Sequence, residues 1–150
     1  MKSILRSSLI TVLAGLFLAT ICLQAQPSTV TKWDIPFSFM VGEANLPAGE
    51  YIVQPASLLS SYSIMIMKSR DGKHLAFFMV NPAQLDRAAG QPRLVFTQYA
   101  DTMYLSQIWE KPQGLGLVVR KSGSQERAAR ELKLAGPNKP KLVAVLGETH

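Results

Sequence analysis

The sequence predicts an all-β domain, a mainly antiparallel sandwich or barrel, with one C-terminal amphipathic helix and an N-terminal signal peptide. Short segments of alternating or β-branched residues recur about 8–12 residues apart, separated by turn-forming residues. A single stretch near the C-terminus consists of strong helix formers. The first thirty residues have the charge and hydropathy layout of an export signal.

The N-terminal segment is predicted to be a cleaved leader. Lys2 and Arg6 precede an uncharged stretch, 7–23, which a polar break follows. Its strongly apolar core of about 15 residues is shorter than the ~20 that a membrane-spanning helix needs. We therefore assign 1–25 to the signal peptide and 26–150 to a single β-rich domain, exported to the periplasm or outside the cell.

Cysteine usage and charge narrow the chemistry of the mature chain. Cys22 is the single cysteine and leaves with the leader, so disulfide and thiol chemistry are not expected. Lipoprotein processing at Cys22 and a retained anchor are the alternatives. Residues 26–110 carry a net charge of −1 and residues 111–150 carry +5, so an electrostatic partner should meet the C-terminal third.

The strand predictions follow from period-two alternation and turn residues. We expect 37–41 and 50–54 to form a hairpin around the loop 42–49, and 81–92 to be a polar loop. The segment 62–68 is apolar on both faces and is predicted to be buried on both sides. The full set of predicted strands is 29–35, 37–41, 50–54, 62–68, 74–80, 93–99, 102–110, 117–119 and 141–146.

The helix is predicted over 125–135. Ser122 followed by Gln125 matches a capping box, and Gly136 with Pro137 ends the helix. A narrow apolar stripe (Ala128, Leu132 and Ala135) would dock it on the sheet. The outward face would then carry a basic set predicted to meet anionic surfaces: Arg120, Lys121, Arg127, Arg130 and Lys133. The alternative is a solvated helix softened by ion pairs between residues four apart.

A longer string carries a resemblance. Residues 36–51 read PFSFMVGEANLPAGEY, and RLVF at 93–96 and a basic helix after Lys121 follow later. This resembles small, exported, functionally uncharacterised bacterial proteins with a P-F-x-F-x-V-G pattern followed by L-P-A-G-x-Y. The resemblance covers most of the mature chain and implies a secreted β domain, with no catalytic residue to carry over.

Four strand aromatics are the candidate ligand-binding residues: Trp33, Tyr99, Tyr104 and Trp109. Each lies among polar neighbours, and on an exposed sheet face such rings would stack on sugars or another apolar ligand. The alternative is that they point inward and supply the core.

Catalytic and metal constellations are weak. A Ser–His–Asp set could combine Ser61 or Ser106 with His74 and Asp71, but the sequence has no G-x-S-x-G elbow. Soft thioethers at Met65 and Met67, with His74, could bind Cu(I). No catalytic residue, metal site or cofactor is therefore predicted.

The sequence thus favours an exported, non-enzymatic interaction or ligand-binding module of the cell envelope. The expected partner is a glycan, a lipid or an envelope protein, with peripheral contact to an anionic membrane or cell wall. Nucleic acid is not expected, because the protein is exported. Two alternatives stay open: a small periplasmic hydrolase with an unrecognised site, and a copper-binding periplasmic protein that uses Met65, Met67 and His74.

Overall fold

A computed structural model describes residues 31–56, 63–84, 91–110, 115–136 and 139–149, so the predicted leader lies outside the described residues. Within them the chain forms eleven strands and one helix. These elements are β1 Thr31–Ile35, β2 Phe39–Val41, β3 Ala44–Leu46, β4 Gly49–Pro55, β5 Ile64–Ser69, β6 Leu75–Gln84, β7 Arg93–Tyr99, β8 Thr102–Trp109, β9 Leu115–Val119, α1 Gly123–Leu134, β10 Lys141–Leu146 and β11 Glu148–Thr149.

The strands form one continuous sheet in the order β10-β7-β8-β9-β6-β5-β4-β1-β11. Neighbours along this path pair antiparallel, while β2 branches off, pairing antiparallel with β3 and parallel with β8. The two ends of the order, β10 and β11, are consecutive in the chain and are separated by Gly147 alone. The predicted mainly antiparallel β architecture with a C-terminal helix is confirmed.

Alternation along the strands builds a single large core. In β1, Trp33 and Ile35 are buried while Asp34 between them is exposed, as period-two geometry requires. Phe96 on β7 meets the edge or face of two other rings, with centroids 5.1 Å from Phe37 and 5.3 Å from Phe39. Edge-to-face contacts of this kind add to the stabilisation from burial.

The helix begins where its capping residue predicts. Ser122 is the N-cap, and its hydroxyl accepts a hydrogen bond from the backbone N–H of Gln125 at 3.2 Å. A carboxylate from a distant turn also reaches this end, because the Ser124 N–H donates to Glu43 Oε1 at 3.3 Å. Negative charge is stabilised at a helix N-terminus. Glu43 therefore ties the helix to the β2–β3 turn.

This tie predicts an acid sensitivity. Hydrogen bonds from Ser124, first from its hydroxyl and then from its backbone N–H, hold the pKa of Glu43 below its ordinary value of 4.5. Folding thus favours the ionised carboxylate of Glu43. Its contribution to the free energy of unfolding is fully present above the ordinary pKa and is lost as the pH falls through the lowered pKa of the folded state. We expect wild-type protein to have a higher urea midpoint than Glu43→Gln at neutral pH, with the difference vanishing in acid. A difference in urea midpoint that is the same at every pH would contradict this role of Glu43.

Two predicted loops are wrong. Residues 42–49 contain β3, which turns back on β2 through Gly42, where φ is 59°, so that Val41 pairs with Ala44. The predicted hairpin between 37–41 and 50–54 is therefore wrong, because β4 pairs with β1 and β5 instead. A strand of three residues is too short to show a period-two pattern.

The predicted loop 81–92 is wrong in its first part, because β6 continues to Gln84 and pairs there with β9. Pro82 had argued against a strand at this point. The pairing of β6 with β5 ends at Met79, so β9 is the one described strand that pairs with the stretch around Pro82. Proline is tolerated where one side of a strand has no ladder to complete.

Candidate functional site

The four candidate aromatics are buried. Trp33, Tyr99, Tyr104 and Trp109 each expose less than one-tenth of their surface, at 0%, 7%, 7% and 3%. The predicted exposed aromatic face is therefore wrong, and the rings serve packing, as the alternative held. Trp33 belongs to the main core, whereas Trp109 packs with Val95 in a second, smaller cluster.

Three of these rings lie on the side of β7 and β8 that faces away from the main core. In β7, Leu94 and Phe96 belong to that core, so Tyr99 has the opposite parity. Tyr99 and Tyr104 meet edge-on with centroids 5.8 Å apart. The helix covers this side, because its predicted apolar stripe (Ala128, Leu132 and Ala135) lines a recess of about 170 Å³ together with Tyr99. The amphipathic helix therefore docks as its pattern predicted.

Trp109 is covered differently. A methyl group on Gly116 would lie 3.2 Å from its indole ring, so the ring lies against the backbone of β9, the strand next to β8 in the sheet. The guanidinium of Arg93 lies 5.2 Å from the ring centroid, a cation–π distance. The aromatic rings on the outward side of β7 and β8 are therefore buried, Tyr99 beside the helix and Trp109 against the neighbouring strand.

A different apolar surface stays open to solvent, on the outward side of β5 and β6. We call it the β5–β6 face, and five side chains form it: Ile64, Ile66, Leu75, Phe77 and Met79. Cross-strand register places Ile64 opposite Met79 and Ile66 opposite Phe77. Four of the five are well exposed, Ile64 at 40%, Leu75 at 48%, Phe77 at 61% and Met79 at 47%.

The prediction that 62–68 is buried on both sides is wrong for this reason. Met65 and Met67 point into the core, but Ile64 on the opposite side is exposed. The apolar pattern on both sides was the available signal. We interpreted it as a buried strand, although an apolar side is equally required of a binding surface.

The predicted anionic-surface residues all lie exposed at the surface: Arg120, Lys121, Arg127, Arg130 and Lys133. Three of them (Lys121, Arg130 and Lys133) line a shallow recess of about 230 Å³ with Glu126 and Ala129. The Arg130–Glu126 ion pair is 3.9 Å long, and its two side chains are more than half exposed. An exposed pair of this kind contributes little to stability, so these charges remain available to a partner.

The basic residues begin at the border of the β5–β6 face. The Arg120 backbone N–H donates to the carbonyl of Met79 at 2.8 Å, and the Arg120 guanidinium lies 3.7 Å from Met79 Sδ. At the opposite end of the face, exposed Lys68 pairs in register with Leu75. Met79 and Arg120 are 41 residues apart in the chain, so the local sequence pattern could not predict their contact.

A cleft of about 490 Å³ lies at the β5–β6 turn and includes His74. Its hydrogen bonds stabilise the turn itself: the Ser69 hydroxyl donates to Asp71 at 2.6 Å and accepts from the backbone N–H of His74 at 2.9 Å. This donation is the main reason why the pKa of Asp71 lies below its ordinary value. Arg70 and Glu50 pair at 2.6 Å on its wall.

The residues of the hydrolase alternative are not assembled around His74. The Ser106 hydroxyl donates to the carbonyl of Val95 on β7, while His74 and Asp71 line the turn cleft. Ser61 lies outside the described residues.

The copper set is not assembled either, because Met65 and Met67 are buried in the core while His74 lines the cleft. Among the residues described, no group of three or more His, Cys, Asp or Glu side chains could hold a metal ion. The described part of the chain also holds no helix whose length and hydropathy would suit a membrane span.

Comparison with known proteins assigns no relative: no family model, curated protein or solved structure matches this chain.

Proposed function

We propose that this protein is an exported, non-enzymatic interaction module of the cell envelope, and that the β5–β6 face is its binding surface. One observation carries the proposal. Four large apolar side chains on two paired strands are between 40% and 61% exposed, and their register places them side by side. Soluble proteins rarely expose contiguous apolar surface unless it serves an interaction.

The rest of the fold supports this assignment, because the large rings on the outward side of β7 and β8 are buried. Tyr99 lies beside the helix, and Trp109 lies against Gly116 of the neighbouring strand β9. Covering the β5–β6 face in the same way would stabilise the fold by about 25 cal/mol for each Å² of apolar surface removed from water. A free surface that forgoes this stabilisation is available to a partner.

Binding to the cell envelope tests the proposal. Protein purified after export is mixed with an isolated envelope fraction from the producing bacterium and sedimented. We expect the double substitution Phe77→Thr with Met79→Thr to weaken binding at least tenfold, because each side chain loses roughly 1.5 kcal/mol or more of apolar burial. Threonine keeps the β propensity of both positions.

The matched control is Leu142→Thr with Leu146→Thr, at two exposed apolar positions on β10. This pair removes similar apolar surface from a different strand and should bind as the wild type does. Equal losses in both double variants, or no loss in either, would contradict the β5–β6 face as the binding surface.

A further inference from the structure

A cationic side chain lies at each of the two ends of the β5–β6 face. Exposed Lys68 lies beside Leu75, and Arg120 contacts Met79. Lys121, the next residue in the chain, lines the shallow recess of about 230 Å³ beside the helix. Apolar and cationic side chains therefore form one continuous surface.

Among the residues that the structure describes, no ion pair neutralises these cations. Within the described ranges, ion pairs form between Arg70 and Glu50, Lys73 and Asp71, and Arg130 and Glu126. None of the three pairs involves Lys68, Arg120 or Lys121, so the charges next to the apolar side chains face solvent. Their complement is a negatively charged surface.

We infer that the occupant of the β5–β6 face is the interfacial region of an anionic lipid bilayer. The inference rests on the proposed function and names its partner class. Apolar side chains would enter the boundary between headgroups and acyl chains, while the lysine and arginine groups would meet lipid phosphates. Arg120 suits this arrangement, since its backbone is hydrogen-bonded to Met79 and its guanidinium lies against the Met79 sulfur at the border of the face.

Shape favours a bilayer over an acidic protein. The face consists of side chains that stand out from the sheet, with Phe77 exposed to 61%. The two clefts beside the β5–β6 turn and the two recesses along the helix include no residue of this face. A protein partner would have to match the shape of these protruding side chains, whereas fluid lipid adapts to any of them.

Vesicle binding tests the inference. Protein purified after export is titrated with vesicles of phosphatidylcholine, with or without one-third phosphatidylglycerol. We expect binding to the anionic vesicles only, weakened at least tenfold by Phe77→Thr with Met79→Thr. Arg120→Gln with Lys121→Gln should weaken it about 25-fold, since each basic group near an anionic surface contributes roughly a factor of five. Added salt should weaken binding further.

Two matched controls should bind as the wild type does: Leu142→Thr with Leu146→Thr, and Lys139→Gln with Lys141→Gln, which removes two exposed charges elsewhere. Equal binding to neutral vesicles, or anionic binding that ignores Phe77 and Met79, overturns the inference. Envelope binding that depends on Phe77 without vesicle binding points to an acidic protein, so the proposed function stands and the lipid assignment fails. Wild-type protein that binds neither the envelope fraction nor the anionic vesicles contradicts both the proposed function and the lipid assignment.

Discussion

Replacing Phe96 with alanine is expected to lower the free energy of unfolding by about 4 kcal/mol, the cost typical of removing a buried phenyl ring. The side chain is fully buried in the main core. Its ring contacts Phe37 and Phe39 edge-on, at 5.1 Å and 5.3 Å between centroids. Truncation removes both contacts and leaves a cavity that the surrounding strands can fill only in part.

Urea denaturation of the purified protein measures this effect, and Phe77→Ala provides a control with the same change of residue. Phe77 is 61% exposed, so its truncation should alter the unfolding free energy by no more than about 0.5 kcal/mol. A comparable loss in the two variants would contradict the assignment of Phe96 to the core and of Phe77 to the surface.

Gly147→Ala is expected to destabilise the protein by about 3 kcal/mol, a large value for a single methyl group. A Cβ at this position would lie 2.6 Å from Trp33 Cζ3 and 2.7 Å from Thr31 Cγ2, closer than carbon atoms can approach. Trp33 is fully buried, so its ring has no free space into which it can move. Gly147 joins β10 to β11, and the strain should loosen the pairing of β11 with β1.

Two measurements separate this clash from a general effect of replacing glycine. Gly123→Ala, in the first turn of the helix, should be neutral or stabilising, because alanine favours a helix and its Cβ would meet only Glu43 Oε1 at 3.4 Å. In a double-mutant cycle, Trp33→Phe should relieve part of the cost of Gly147→Ala. Strictly additive losses would show that the Trp33 ring is not the obstacle.

The outward side of β7 and β8 and the β5–β6 face differ in solvent exposure. The side with Tyr99 and Tyr104 receives the helix, whose Ala128 and Leu132 approach it. The β5–β6 face receives no second layer from the described residues, and Phe77 stays exposed. The helix thus packs beside Tyr99 on β7. Arg120, which precedes the helix, contacts Met79 on the β5–β6 face. The β5–β6 face, the candidate binding surface, is therefore left exposed by the described residues.

Local patterns predicted much of the fold. Alternation placed Trp33 and Ile35 on the buried side of β1, and Ser122 was identified as the start of the helix. The β7–β8 hairpin forms around Ala100, which takes a positive φ of 51° in the turn. Such features depend on neighbours a few residues apart, so a single sequence contains the information needed to predict them.

The candidate site could not be predicted in the same way. Trp109 and Phe77 both lie on strands among apolar and polar neighbours, yet one is buried and the other exposed. Trp109 lies against Gly116 on the neighbouring strand, where the missing side chain leaves room for the ring, whereas Phe77 stays exposed opposite Ile66. The expectation for the aromatics failed because it required knowledge of which strands became neighbours.

The amino-acid order by itself determined which residues share a side of each strand, where the helix starts, and that the positive charge gathers in the last third of the chain. Tertiary structure decided which strands became neighbours, which apolar sides were covered, and that Arg120 would lie against Met79. The physical reason is the distance along the chain over which each effect acts. Alternation and capping act between residues close in the chain, whereas burial depends on whatever segment the completed fold brings across a surface.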